Sequence, residues 1–156
     1  MTRTIPHFVG GSHLTPTDGR FADVFDPSTG AVQARVPLAS ADEVRAVIAN
    51  AEAAQQEWAA TNPQKRARVL LRFLDLVQRE MQSLAELLAS EHGKTVDDAK
   101  GDIQRGLEVI EFSAGAPHLL KGEYSTGAGA GIDVYSMRQP LGVVAAITPF
   151  NFPAMI

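Results

Sequence analysis

A chain of 156 residues, 45 % of them hydrophobic and 21 % charged, can bury one ordinary globular core and lacks the composition of a disordered or fibrous protein. A formal charge of -4 with Lys and Arg dispersed offers no basic face for nucleic acid or an anionic membrane, and the longest purely apolar run, Val143 to Ile147, is far too short to span a bilayer. The absence of cysteine excludes disulfides, Cys-ligated metal and a thiol nucleophile within these residues; the start, Met1-Thr-Arg-Thr-Ile-Pro-His, lacks a signal peptide's apolar core, so a cytoplasmic setting is expected.

The first elements are β. Phe8-Val9 and His13-Leu14 around Gly10-Gly11 predict a small hairpin. A second is predicted from Val24-Phe25, the turn Asp26 to Gly30, and the alternation of Val32, Ala34 and Val36 with Gln33 and Arg35. Ser40 and Glu43 form a capping box, after which Val44, Val47, Ile48, Ala51, Gln55 and Trp58 keep helical spacing, so a helix is expected over 41–60. Trp58 reads as core packing on that stripe. Asn62 caps a second helix with Pro63 in its first turn; its core face runs from Val69 to Leu88 through Phe73, Val77 and Leu84, and Gly93 stops it.

Thr95 with Asp98 caps a third helix, interrupted by glycines, whose apolar stripe is Ala99, Ile103, Leu107, Ile110 and Ala114 before Pro117. Gly93-Lys94-Thr95 mimics the end of a phosphate loop, but Leu88 stands where the motif needs glycine, which leaves a helix stop followed by a cap. The run Gly127 to Gly131 lacks the strand before and helix after that a phosphate-binding loop requires, and reads as a flexible link into a strand over 132–138. His7, His13, His92 and His118 are scattered and read as surface histidines, with no metal site.

The last segment, Pro140 to Ile156, reads PLGVVAAITPFNFPAMI. Val143, Val144 and Ile147 predict a buried parallel strand broken by Pro149, and chemistry in such sheets collects where the carboxyl ends of strands open into loops. Asn151 stands at that end. Two readings fit it: a local cap before a helix starting at Pro153, or an amide donor aimed at the oxygen of a reacting carbonyl.

This segment resembles the motif of the aldehyde dehydrogenase superfamily, a Pro-x-Gly-Val strand leading into an Ile-x-Pro-(Trp/Phe)-Asn-x-Pro loop, through Pro140, Gly142, Val143, Ile147, Pro149, Phe150, Asn151 and Pro153. Phe150 and the continuation Phe152 to Ile156 look most like the branch containing the CoA-acylating methylmalonate-semialdehyde dehydrogenases. The resemblance covers essentially all 156 residues but only the first third or so of a family member. It implies an α/β fold: the N-terminal portion of the aldehyde dehydrogenase fold, comprising the start of the NAD-binding domain over 1–131, a bridging strand of the oligomerisation tether over 132–139, and a return to the NAD-binding domain over 140–156.

The chemistry it implies has two steps. A cysteine thiolate attacks the aldehyde, hydride passes to NAD, and the thioester passes to water or, in this branch, to coenzyme A. The implied roles are oxyanion donor for Asn151 and contact with NAD for Thr148, Pro149 and Phe150. Arg105, in Gly101-Asp102-Ile103-Gln104-Arg105-Gly106, resembles the arginine expected to hold a substrate carboxylate; read from the helix alone, it belongs to a solvated face, paired weakly with Asp102 and Glu108. The resemblance further implies a small-molecule semialdehyde substrate and a dimer or tetramer of identical chains, and places nucleophile, general base and ribose-binding lysine downstream of Ile156. The 156 residues alone are therefore expected to be inactive. Two alternatives are part of another aldehyde dehydrogenase, acting on succinate semialdehyde or betaine aldehyde, and a non-enzymatic assembly module.

Overall fold

The computed structural model describes residues 2–15 and 19–156; Met1 and residues 16–18, within the expected 1–131 unit, lie outside it. The elements in chain order are β1 (Arg3–Thr4), β2 (His7–Val9), β3 (Ser12–Leu14), β4 (Arg20–Phe25), β5 (Val32–Leu38), α1 (Ala41–Ala60), α2 (Pro63–Arg79), α3 (Met81–His92), α4 (Val96–Ala114), α5 (Ala116–Leu119), β6 (Tyr124–Gly129) and β7 (Ile132–Tyr135). Both expected hairpins form. β2 and β3 pair antiparallel, with Phe8 opposite His13, and β4 pairs antiparallel with β5. The two-residue β1, too short to leave a periodic signal, adds parallel to β5 and completes a three-stranded sheet in the order β1-β5-β4.

α1 begins where its capping box places it. The Ser40 hydroxyl accepts from the Glu43 N–H at 3.2 Å and the Glu43 carboxylate accepts from the Ser40 N–H at 2.6 Å, which holds the Glu43 carboxyl below its ordinary value. Its apolar stripe is a correction to expectation: Val44, Val47, Ile48 and Trp58 are exposed, and Trp58 stands at the rim of a shallow cavity with Pro63 and Leu70 instead of in a core.

The predicted single helix from Pro63 to Gly93 is two. The Asn62 cap holds, its side chain accepting from the Gln64 N–H at 2.9 Å, and Gly93 ends the second helix with φ +85, where a Cβ would also meet the Pro27 ring at 2.8 Å. Between them Glu80 takes φ -93, ψ 12, and the Ser83 hydroxyl bonds back to its carbonyl at 3.0 Å. No Gly or Pro marks the break. An unbroken helix here would run about 45 Å, well beyond α4, whereas the break lets both α2 and α3 pack on α4.

α4 is the centre of the fold. Thr95 caps it by accepting from the Asp98 N–H at 3.2 Å, and Ala99, Ile103 and Leu107 are buried along its predicted stripe. The core joins Ala99 and Ile103 to Ala85 of α3, with Val77, Met81, Leu84 and Leu88 around them. The sheet meets the far end of α3 through Gln33, whose amide donates to the Ser90 carbonyl, and through the Arg3–Glu91 pair at 3.3 Å.

Expectations for the last third are overturned at several points. The glycine-rich run is no flexible link: it forms the end of β6 and the turn into β7, with Gly127 and Gly131 at φ +67 and +71 that L side chains rarely adopt. The strand expected over 132–138 pairs with β6 and ends at Tyr135. Asp133 staples this hairpin, accepting from the Tyr124 hydroxyl at 2.6 Å and the Gly127 N–H at 2.9 Å. The Tyr124 bond, then the Gly127 bond, holds the Asp133 carboxyl below its usual range, and the same contact pushes the Tyr124 phenol up.

Residues 143–147 form no strand, and Val144 and Ile147 are exposed. A parallel strand needs hydrogen-bonded neighbours, and none of the described strands lies beside this segment. The helix expected from Pro153 is likewise only a turn over 153–155.

Candidate functional site

The segment carrying Asn151 approaches the helical layer as an irregular, exposed stretch. Thr148, Pro149 and Phe150 lie on it, Phe150 being 90 % exposed. At Asn151 the backbone turns back along α4. Asn151 and Phe150 line one side of an open cleft of about 510 Å³, with Leu88, Glu91 and His92 of α3 and Pro153 completing it. Beyond the turn, a second cavity of about 560 Å³ is more apolar, walled by Val77, Leu84 and Leu88 on one side and by Ile103, Gly106 and Met155 on the other.

What holds the turn is a charged pair that sequence reading did not single out. Asp102 lies on the buried stripe of α4, its side chain 0 % exposed, and Lys94, between the αL stop at Gly93 and the cap at Thr95, is 7 % exposed. The Lys94 ammonium lies 3.5 Å from the Asp102 carboxylate and 3.3 Å from that of Asp98. It also donates to the Asn151 carbonyl at 3.3 Å and sits 4.9 Å from the centre of the Phe152 ring. The other Asp102 oxygen accepts from the Met155 N–H at 2.8 Å. One turn along α4, Gly106 lets the backbone come close, since a Cβ there would stand 2.6 Å from the Ala154 carbonyl oxygen. The sequence did hold a signal: position 102 falls at helical spacing with Ala99 and Gly106, so a carboxylate occupies an apolar face and must find partners.

The other expected site residues are placed less closely together. Arg105 is exposed, pairs with Glu108 at 2.7 Å, and is not among the residues lining the Asn151 cleft. Its expected second partner, Asp102, is instead buried, its carboxylate held by Lys94 and the Met155 N–H. Val109 and Phe112, which share the Arg105 face by helical spacing, are exposed as well. Of the four histidines expected on the surface, His13 and His118 are exposed, whereas His7 Nε2 and His92 Nδ1 are buried atoms. His92 flanks the Asn151 cleft.

The comparisons agree with the motif. Residues 14–156 match the profile of the aldehyde dehydrogenase family. The malonate-semialdehyde dehydrogenase of Pseudomonas aeruginosa PAO1 is 47 % identical over 98 % of this chain and 31 % of its own length. The human mitochondrial methylmalonate-semialdehyde/malonate-semialdehyde dehydrogenase [acylating] is 40 % identical over 98 % of the chain and 29 % of its own. Among solved structures, the methylmalonate-semialdehyde dehydrogenase of Oceanimonas doudoroffii superposes with a TM-score of 0.93 at 46 % identity, covering 99 % of this chain and 31 % of that one. A Sinorhizobium meliloti 1021 protein assigned the same activity and solved with NAD gives 0.94 at 55 %, covering 99 % of this chain and 32 % of that one. The chain thus spans about a third of the length of the relatives it matches. On the profile match, the shared fold and the intact Pro140-to-Pro153 motif, it belongs to the aldehyde dehydrogenase family.

Proposed function

We propose that the protein to which these residues belong oxidises malonate or methylmalonate semialdehyde with NAD, releases the substrate's carboxylate as CO2 and passes the remaining acyl group to coenzyme A, giving acetyl- or propionyl-CoA. The reading is carried by one observation: similarity to semialdehyde dehydrogenases, some of them named acylating, extends over 98 % or more of the chain at 40–47 % identity. Solved aldehyde dehydrogenases of other kinds, such as the lactaldehyde enzyme of Escherichia coli, are less similar, at 27 %.

In this reading Asn151 is the oxyanion donor. Thiolate attack on an aldehyde leaves a negative charge on the former carbonyl oxygen, and a neutral amide N–H stabilises it without titrating in the physiological range. The attacking cysteine has to come from outside these 156 residues, which contain none. Thr148, Pro149 and Phe150 suit a dinucleotide: their segment is exposed, offers backbone polar groups outside any ladder, and ends in a ring beside a cleft. Bound there, NAD supplies the hydride acceptor. Arg105 is the carboxylate holder, a guanidinium being able to pair bidentately and stay charged at every relevant pH. The β6–β7 hairpin bridges identical chains in a dimer or tetramer, and the enzyme works in the cytoplasm. No helix among the described residues is long and apolar enough to cross a membrane, which is compatible with that setting.

The test is an assay of the full-length gene product with malonate semialdehyde and NAD, with and without CoA. NADH formation that depends on CoA, with an acyl-CoA product, is expected. A free-acid product formed at the same rate without CoA would assign a hydrolytic enzyme, and no NADH from any carboxylated semialdehyde would reject the substrate class.

A further inference from the structure

Asn151 can serve as an oxyanion donor only if its amide is held in place; before it, Ile147 is exposed and lies outside the sheets of the described residues. From Asn151 to Met155 four of the five residues contact Lys94 or α4. Lys94 takes the Asn151 carbonyl and stands near the Phe152 ring, Gly106 admits the Ala154 carbonyl, and Asp102 takes the Met155 N–H. The shortest bond made by the Asp102 carboxylate, 2.8 Å, is to this loop; its distance to Lys94 is 3.5 Å. A buried ion pair is weak evidence for stability, because two well-packed apolar side chains often do as well. Here, however, both charges spend their contacts on the backbone of the Asn151 turn.

We propose that Lys94 and Asp102 are positioning residues for the reaction: set just before α4 and within its N-terminal half, they fix the backbone at residues 151 and 155 and so aim the Asn151 amide at the reacting carbonyl oxygen. The inference rests on the oxyanion role of Asn151. Holding the carbonyl of residue 151 fixes the peptide plane next to its Cα, and hence the direction in which the side chain leaves. Misplacement of a catalytic group by about 1 Å costs on the order of 10² in rate.

A double-mutant cycle on the full-length enzyme tests this, with kcat and the KM for NAD as readouts. Lys94→Met is expected to lower kcat about 10²-fold with little change in KM, and to cause almost no further loss when placed on Asn151→Ala. A residue that only supported the fold would lower both backgrounds by the same factor. Such additive losses, with Asn151→Ala itself strongly impaired, would overturn the inference and leave the oxyanion role intact. Parental turnover in Asn151→Ala would overturn both. Should Lys94→Met fail to fold, Asp102→Asn takes its place under the same criteria: it is isosteric, keeps an acceptor for the Met155 N–H and removes the charge facing Lys94.

Discussion

Two glycines on one helix give the packing at the site a test with opposite signs. Gly101 and Gly106 both lie inside α4, where alanine is intrinsically favoured over glycine by about 1 kcal/mol. At Gly101 a Cβ meets nothing within 4 Å, so Gly101→Ala should raise stability by up to about that amount. At Gly106 the added Cβ would stand 2.6 Å from the Ala154 carbonyl oxygen, against 3.4 Å or more for ordinary contact. Either α4 or the turn must give way by the difference, roughly 0.8 Å. The turn is tied at the next residue by the 2.8 Å bond from the Met155 N–H to Asp102, and the same displacement takes that bond beyond hydrogen-bonding range.

Losing a hydrogen bond to a buried carboxylate costs about 1.5–3 kcal/mol and overpacking about 1–3, so after the helix-propensity gain Gly106→Ala should be destabilised by about 1.5–5 kcal/mol. Parent and both variants, made at one chain length, would be compared by thermal unfolding followed by circular dichroism, with urea unfolding to convert shifts to free energy. A Gly106→Ala protein as stable as the parent, or stabilised like Gly101→Ala, would show that the turn does not sit against α4 and would remove the basis for the clamp.

Asn151→Ala in the full-length enzyme should lower turnover by about 10²–10³ while leaving NAD affinity nearly intact, because the charge it meets exists only in the transition state; unchanged turnover with a clear fall in Tm would mean a cap. Arg105→Leu should raise KM for carboxylated semialdehydes sharply and spare propanal, on the order of 2–5 kcal/mol for a desolvated pair. Equal effects on both aldehydes would return Arg105 to the solvated face it occupies beside Glu108. In the β6–β7 hairpin, Asp133 has its carboxyl lowered by folding, so its contribution is complete above the ordinary value of 3.8 and fades as pH falls through the lower folded value. An NMR titration should show Asp133 charged and the Gly127 amide shift unchanged down to that value, and titration at or above 3.8 would contradict the staple.

What could be read from the sequence was whatever local chemistry fixes. Ser40 with Glu43, Asn62 with Pro63, Thr95 and Gly93 each satisfy or end a helix with groups a few residues away, and the helix ends fall where these residues place them. Both N-terminal hairpins were legible for the same reason. The break at Glu80 was not, because it follows from where α4 lies and not from any residue at 80. The turn from β6 to β7 was hidden by its own composition: alternating Gly and Ala look like a linker until positive φ at Gly127 and Gly131 is seen to need them. The candidate site divides in the same way. Asn151 and its neighbours stood out as a contiguous motif, whereas Lys94 meets the loop across 57 residues of sequence and Asp102 across 53.

An apolar stripe states a capacity for burial, and neighbours decide whether it is used. Val44, Val47 and Ile48 of α1 keep helical spacing as faithfully as Ala99, Ile103 and Leu107 of α4, yet the first set is exposed and the second buried, because only α4 is packed by both α2 and α3. The same holds for 143–147, whose composition suits a covered strand while Ile147 faces solvent. A residue that breaks the pattern is more telling than one that keeps it. Asp102 interrupts a used stripe, and a carboxylate there is tolerable only with donors brought from elsewhere. Those donors, the Lys94 ammonium and the Met155 N–H, tie α4 to the turn beside Asn151, so the carboxylate buried on the α4 stripe marks where the helical layer grips the candidate site.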